Sequence, residues 1–213
     1  MEIIAKETIQ SWERFYRGNF VNSLSGFKSA SLIATINAEG IPNLAIFSNI
    51  VHLGADPALI GFVNRPLEAA PHTFANIEAT GLYTINHIHP DFVVQAHQTS
   101  AKYASGVNEF ASVGLHEEYV NNFSVPFVQE SKCAYAMKLV EIIPIKHNNT
   151  FFVIGELQLV RIEGSIIADD GFIKLEKIES LTSLGIDAYY NTDAIGRYSY
   201  AKPGIMPVKL EEQ

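Results

Sequence analysis

Ser31-Leu32-Ile33-Ala34-Thr35-Ile36, then Asn37-Ala38-Glu39-Gly40, then Pro42-Asn43-Leu44-Ala45-Ile46-Phe47-Ser48 is the stretch on which the fold turns. Apolar and β-branched residues dominate both flanks, and such side chains pack well on a pleated, half-buried surface. The centre carries the residues that tolerate tight turns, so the stretch predicts a β-hairpin.

Working outward, Ala58 to Val63 reads as a third buried strand, started by Asp56-Pro57. Gly81-Leu82-Tyr83-Thr84-Ile85-Asn86 reads as a fourth. Ala134 to Ile145 and Thr150 to Ile162 alternate over long spans, with Lys146-His147-Asn148-Asn149 as the turn between them. Gly171 to Ser180 is read as strand then turn. Helices are expected over Thr8 to Phe20, where Ile9, Trp12, Phe15 and Tyr16 share a face, and over Thr73 to Ala79 after Pro71 and His72. Shorter helices are expected over Asp91 to His97 and Tyr103 to Ala111. Six strands with hairpin links predict a mainly β protein, a closed antiparallel barrel with a few peripheral helices.

The chain has 213 residues, and no Pro-, Gly- or Ser-rich linker divides it, so residues 1–213 read as a single domain. A domain of this size buries enough surface to fold without a disulfide or structural metal. The 15 Lys and Arg against 23 Asp and Glu give a net charge of −8. That balance argues against nucleic acid and anionic membrane surfaces as partners. The single cysteine, Cys133, fits a reducing compartment. Met1-Glu2-Ile3-Ile4-Ala5-Lys6 does not have the pattern of a secretory signal, and no apolar run is long enough to span a bilayer. The expectation is a soluble, cytoplasmic protein.

Short catalytic motifs are mostly accidental here. Ser25-Gly26-Phe27-Lys28 matches S-x-x-K without its companion motifs. There is no G-x-S-x-G elbow, Walker A loop or G-x-G-x-x-G. His87-Ile88-His89, with Asp91 and His97 downstream, has the residue types of a metal site. Pro90 ends the strand and no Glu follows at cupin spacing, so the simpler reading is a strand end with solvated or hydrogen-bonded imidazoles. A metal enzyme on His87, His89 and His97 is the alternative from another class.

Four polar clusters follow apolar runs: Ser48-Asn49, Asn64-Arg65-Pro66, His72-Thr73 and Thr99-Ser100-Ala101-Lys102. Alone, each reads as a turn, a cap or a solvated end; Thr73 could cap the next helix. Together they offer an Arg fork, a Lys point charge, hydroxyls and amides, the donors that a phosphate-bearing planar ligand requires.

The same residues, in order, resemble the flavin reductase-like family of FMN-binding split-barrel proteins, which includes flavoredoxin and the reductase components of two-component monooxygenases. The likeness runs from about Ser25 to Pro203. It rests on the hairpin stretch, Asp56-Pro57-Ala58-Leu59-Ile60-Gly61-Phe62, Asn64-Arg65-Pro66, His72-Thr73-Phe74-Ala75-Asn76-Ile77, Tyr83-Thr84-Ile85-Asn86 and Ala96-His97-Gln98-Thr99-Ser100-Ala101-Lys102-Tyr103. Gly185-Ile186-Asp187-Ala188-Tyr189-Tyr190 and Arg197 to Pro203 resemble the tail of the flavoredoxin-like subgroup.

The resemblance implies a Greek-key split barrel, a homodimer and one FMN per subunit. By that analogy, Phe47, Ser48 and Asn49 lie along the flavin ring, and Asn64 and Arg65 approach the phosphate with His72 or Thr73. Thr99, Ser100 and Lys102 close the site, with Lys102 neutralising either the phosphate or the N1/O2 edge of the reduced ring, where a positive charge would raise the potential. The implied function is an FMN-dependent oxidoreductase taking electrons from NAD(P)H or a protein donor. The alternative is an FMN-binding electron carrier without NAD(P)H turnover. One departure bears on that choice: many relatives have a Gly-Asp-His turn where this chain has Asn148-Asn149, with His147 two residues early.

Overall fold

In a computed structural model, which describes residues 1–210, the chain starts with helices α1 (Lys6–Ser11) and α2 (Arg14–Leu24). Strands β1 (Lys28–Ser29), β2 (Ser31–Ile36), β3 (Pro42–Phe47), β4 (Ile50–Ala55) and β5 (Ala58–Asn64) follow. Helix α3 (Pro71–Thr80), strand β6 (Leu82–His87) and helices α4 (Val93–Gln98) and α5 (Glu109–Val113) come next. Two short strands, β7 (Glu117–Glu118) and β8 (Phe127–Val128), precede the long β9 (Cys133–Ile145) and β10 (Thr150–Ile162). Strands β11 (Thr182–Leu184) and β12 (Ala188–Tyr190) come last.

The main sheet has seven strands in the order β3-β2-β6-β9-β10-β5-β4, all antiparallel. It curls around a core drawn from nearly every strand: Ile33, Phe47, Phe62, Tyr83, Ile85, Met137 and Val153, plugged by Phe74 and Ile77 of α3. Alternation along β2 sends Leu32 and Ala34 the other way, into a second cluster with Leu44, Ile88, Phe92 and Phe110 under α4 and α5. Strand β2 is thus buried on both faces, which explains its unbroken apolar run.

The expected closed barrel is not what forms. Strands β3 and β4 are the two edges of the sheet and do not pair with each other. They are consecutive, joined by Ser48-Asn49 alone. There the Asn49 side chain substitutes for a strand: its Nδ2 donates to Val63 O (2.8 Å) and its Oδ1 accepts from Val63 N (3.2 Å). The sheet is tied at this corner while the outer edge of β3 stays open.

Other expectations need correction. The N-terminal helix is two helices, broken where Glu13 turns its carboxylate onto Phe15 N (2.9 Å) and Tyr16 N (3.3 Å) as an N-cap. Strand β4 went unread because four of its six residues are exposed and it lacks a clean alternation. Asp56-Pro57 is the hairpin turn between β4 and β5 rather than a strand start. Tyr103 to Asn108 is not helical; α5 starts only after Asn108, whose Oδ1 accepts from Ala111 N (3.4 Å). Gly171 to Ser180 holds an isolated bridge, Ile167 to Ile173, and a 3-10 turn at Leu175–Ile178.

Gly155 marks how tightly β10 crosses the core. A Cβ there would overlap the Tyr83 hydroxyl and lie 3.1 Å from the Lys138 carbonyl oxygen. Tyr83 is fully buried and its hydroxyl has no partner. Gly155→Ala should therefore destabilise the fold by ~1–3 kcal/mol, the usual effect of overpacking. Thermal unfolding of Gly155→Ala against Gly155→Ala/Tyr83→Phe checks the cause, since loss of the hydroxyl should restore much of the stability. An unchanged melting temperature in the single variant would show that the crossing is not tight.

Candidate functional site

A cleft of about 300 Å³ opens along the free edge of β3. One wall is β3 itself, continuing through Ser48 and Asn49. The second is the β5–α3 loop and the start of α3, and the third is the segment after α4, with the β11–β12 turn closing over it. Among the predicted residues, Phe47, Ser48, Asn49, Arg65, His72, Thr73, Thr99, Ser100 and Lys102 all line this cleft. Chain segments more than fifty positions apart thus converge on one strand edge.

Asn64 does not line it. Its side chain is fully buried, and its Nδ2 donates to Arg65 O (2.8 Å) and Ala70 O (3.1 Å). Asn64 therefore shapes the loop that presents Arg65. Three lining residues are also engaged within the protein. Asn49 holds Val63, and Thr99 Oγ1 donates to Ala96 O (2.8 Å) at the end of α4. Thr73 Oγ1 lies 3.2 Å from the Asn43 amide. Their role is to fix the walls.

The exposed side chains differ in kind. Arg65 and Lys102 are solvent-accessible, and among the described residues neither takes part in an ion pair. Arg65 and Lys102 share the cleft with Glu68 and Glu109, so its formal charges balance, and the two cations are the groups available to an anion. The backbone adds donors. Leu44, opposite Ala34 of β2, points its N–H away from β2, toward Glu109 Oε2 (3.1 Å). Residues along an antiparallel strand alternate between facing their neighbour and facing away. Ile46, two positions on, therefore turns its own N–H and C=O to the cleft side.

Several lining residues escaped sequence reasoning: Asn43, Glu68, Glu109, Ser183, Ile186 and Tyr189. Tyr189 Oη lies 2.8 Å from His97 Nδ1, which latches the β11–β12 hairpin onto α4. Burial and the nearby Asp187 push the Tyr189 phenol above its usual range. Asn108-Glu109, a cap followed by an acidic first-turn residue, reads as ordinary helix chemistry, so no signal marked Glu109.

The candidate metal histidines are spent on structure. His87 is buried with Nδ1 2.7 Å from Ser180 Oγ, and burial, with His89 close by, lowers its pKa to about 4. His89 Nδ1 lies 2.6 Å from Ile178 O, and its Nε2 accepts from Lys132 N (3.0 Å). Both rings of the H-x-H pair hold the segment after β10 against β6, and His97 holds Tyr189 instead. Among the described residues no three His, Cys, Asp or Glu side chains gather as metal ligands. No helix among them is long and apolar enough to cross a membrane.

Residues 25–170 match the flavin reductase like domain. Over 94% of this chain and 100% of the other, the fold superposes on a split-barrel protein assigned as a flavin reductase from Shewanella frigidimarina, with 46% identity and a TM-score of 0.91. Nitrilotriacetate monooxygenase component B from Bacillus cereus matches 92% of this chain and 98% of its own at 17% identity, TM-score 0.80. Flavoredoxin of Desulfovibrio vulgaris matches 84% and 92% at 23% identity, TM-score 0.69. These last two share the fold. The domain match and the 46% identity over nearly the whole length together establish that the chain belongs to the flavin reductase-like family.

Proposed function

We propose that the protein is an FMN-dependent oxidoreductase whose flavin occupies the β3 cleft. The observation that carries this reading is the pairing of two cations, Arg65 and Lys102, outside any ion pair among the described residues, with an open strand edge on the same cleft. That donor set fits a ligand with an anionic tail and a flat, hydrogen-bonding ring. Arg65 and Lys102 would hold the phosphate, assisted by His72 and the Ser100 hydroxyl. The Ile46 backbone edge and Ser48 would meet the ring's polar rim, over the apolar floor that Leu44, Ala45 and Phe47 provide. Bound FMN would supply the redox chemistry itself, accepting and passing on electrons. The chain's contribution is to orient it, limit water and set the local charge.

The electron source divides two readings. Oxidation of NAD(P)H is the first. Electron transfer from a protein partner, in the manner of a carrier, is favoured by one observation: His147, Asn148 and Asn149 form the exposed tip of the β9–β10 hairpin and do not line the cleft. Purified protein mixed with FMN should turn yellow and retain the absorbance through desalting. Anaerobic NADH or NADPH should then bleach it within seconds if the chain is a reductase. A lasting yellow colour with both nucleotides would favour the carrier. Protein that retains no flavin would refute both.

Arg65→Ala and Lys102→Ala should each weaken FMN binding about ten- to a hundred-fold, as expected for loss of one charged hydrogen bond. Riboflavin, which lacks the phosphate, should bind both variants nearly as well as it binds the wild type. Equal losses for the two ligands, measured by fluorescence quenching, would take these cations away from the phosphate.

A homodimer completes the proposal. Val51 and Leu53 of β4 and Val140, Ile143 and Ile145 of β9 are exposed, as are Phe15 and Tyr16 of α2, which buries no residue. Apolar surface of this extent is what an interface of ~1,600 Å² would cover. Light scattering at micromolar concentration should give twice the chain mass. A monomer that still holds FMN at full affinity would contradict it.

A further inference from the structure

Glu109 is a buried carboxylate on a cleft built for an anion, and nothing in the binding of a phosphate calls for it. It is 4% exposed, yet it lines the cleft from the first turn of α5. Both its oxygens face donors on β3. Leu44 N donates to Oε2 at 3.1 Å. The Asn43 amide satisfies its two neighbours with Nδ2 toward Glu109 Oε1 (3.3 Å) and Oδ1 toward Thr73 Oγ1 (3.2 Å). An acceptor-only arrangement of this kind suits an ionised carboxylate, since neither oxygen is offered an acceptor for a proton. Burial works the other way and raises the carboxyl's pKa. The other charged or titratable groups around the cleft are Arg65, Glu68, His72, Lys102, Tyr103 and Tyr189. Among these, Arg65, Glu68 and Lys102 are exposed, so solvent screens them more than it screens Glu109.

We propose that Glu109 sets the redox potential of the bound flavin by holding a negative charge beneath the β3 edge. The inference rests on the FMN reading above. Two-electron reduction of the flavin with uptake of one proton leaves the ring with a negative charge. A buried carboxylate beside it disfavours that form. The Glu109 charge thereby bears on how strongly the bound flavin reduces its acceptor. Glu109 also occupies the Leu44 N–H, so ring contacts along the edge start at Ile46.

The test is the midpoint potential of FMN bound to wild type, Glu109→Gln and Glu109→Ala, from anaerobic dithionite titration with a reference dye. Circular dichroism is measured on the same samples. Gln keeps an oxygen for Leu44 N and removes the charge. In both variants the affinity for reduced relative to oxidised FMN should rise about tenfold, which is a positive shift of ~30 mV for a two-electron couple. Lys102→Gln, at the phosphate end, should move the potential far less than either Glu109 variant. An unchanged or lower potential in a folded Glu109→Gln overturns the inference, because a purely structural carboxylate would leave the potential where it was. Failure of both Glu109 variants to fold overturns it too, since it would show that the group is needed for structure rather than charge. Wild type that binds no FMN would overturn the functional reading itself, a distinct result.

Discussion

Leu44 gives its backbone N–H to a carboxylate instead of to another strand, and the rest of the molecule is arranged around that choice. Had β3 and β4 paired, the sheet would have closed and used up the outward-facing groups of β3. At Ser48-Asn49 the chain passes from one edge of the sheet to the other instead. Asn49 takes the hydrogen bonds of Val63 with its side chain, so the corner is satisfied without a further strand. An open edge is ordinarily a liability, a template for unwanted pairing. Here it is covered by α5, by the segment after α4 and by the β11–β12 turn, and the covering leaves a cleft instead of a packed seam.

The electrostatics of the cleft follow from the same geometry. The chain is acidic overall, yet Arg65 and Lys102 line the cleft outside any ion pair among the described residues, and Asn64 braces from within the loop that carries Arg65. Glu109 lies on the opposite side of the balance, deeper and less screened. Arranging opposite charges at different depths is a way to bind an anionic tail tightly while controlling charge at the far end of the ligand. The histidines most easily mistaken for a metal site serve another purpose. With its pKa near 4, His87 stays neutral at physiological pH and can remain buried against Ser180.

Much of this was legible in the sequence. The hairpin from Ser31 to Phe47 and the long pair Cys133–Ile145 and Thr150–Ile162 declared themselves through burial-driven alternation and turn chemistry. The polar clusters, Asn64 apart, mapped onto one cleft, although only two of the four end strands: His72-Thr73 open α3, and Thr99 to Lys102 follow α4. What stayed hidden has a physical reason in each case. Strand β4 is mostly exposed and lacks a pattern. Closure could not be judged, since whether two edges meet depends on strand stagger and on what Asn49 does at the corner. Asn64 belonged to the right loop but faces inward, and residue type does not reveal which way an amide points. Glu109 looked like ordinary first-turn chemistry on a five-residue helix; only its proximity to Leu44, 65 positions away, gives it meaning.

The most direct measurement is a crystal structure of the protein grown in excess FMN. The predicted result is the flavin ring along Ile46 to Asn49, with its phosphate within hydrogen-bonding reach of Arg65 and Lys102. The contradicting result is a cleft filled by the protein's own side chains, with FMN elsewhere or absent.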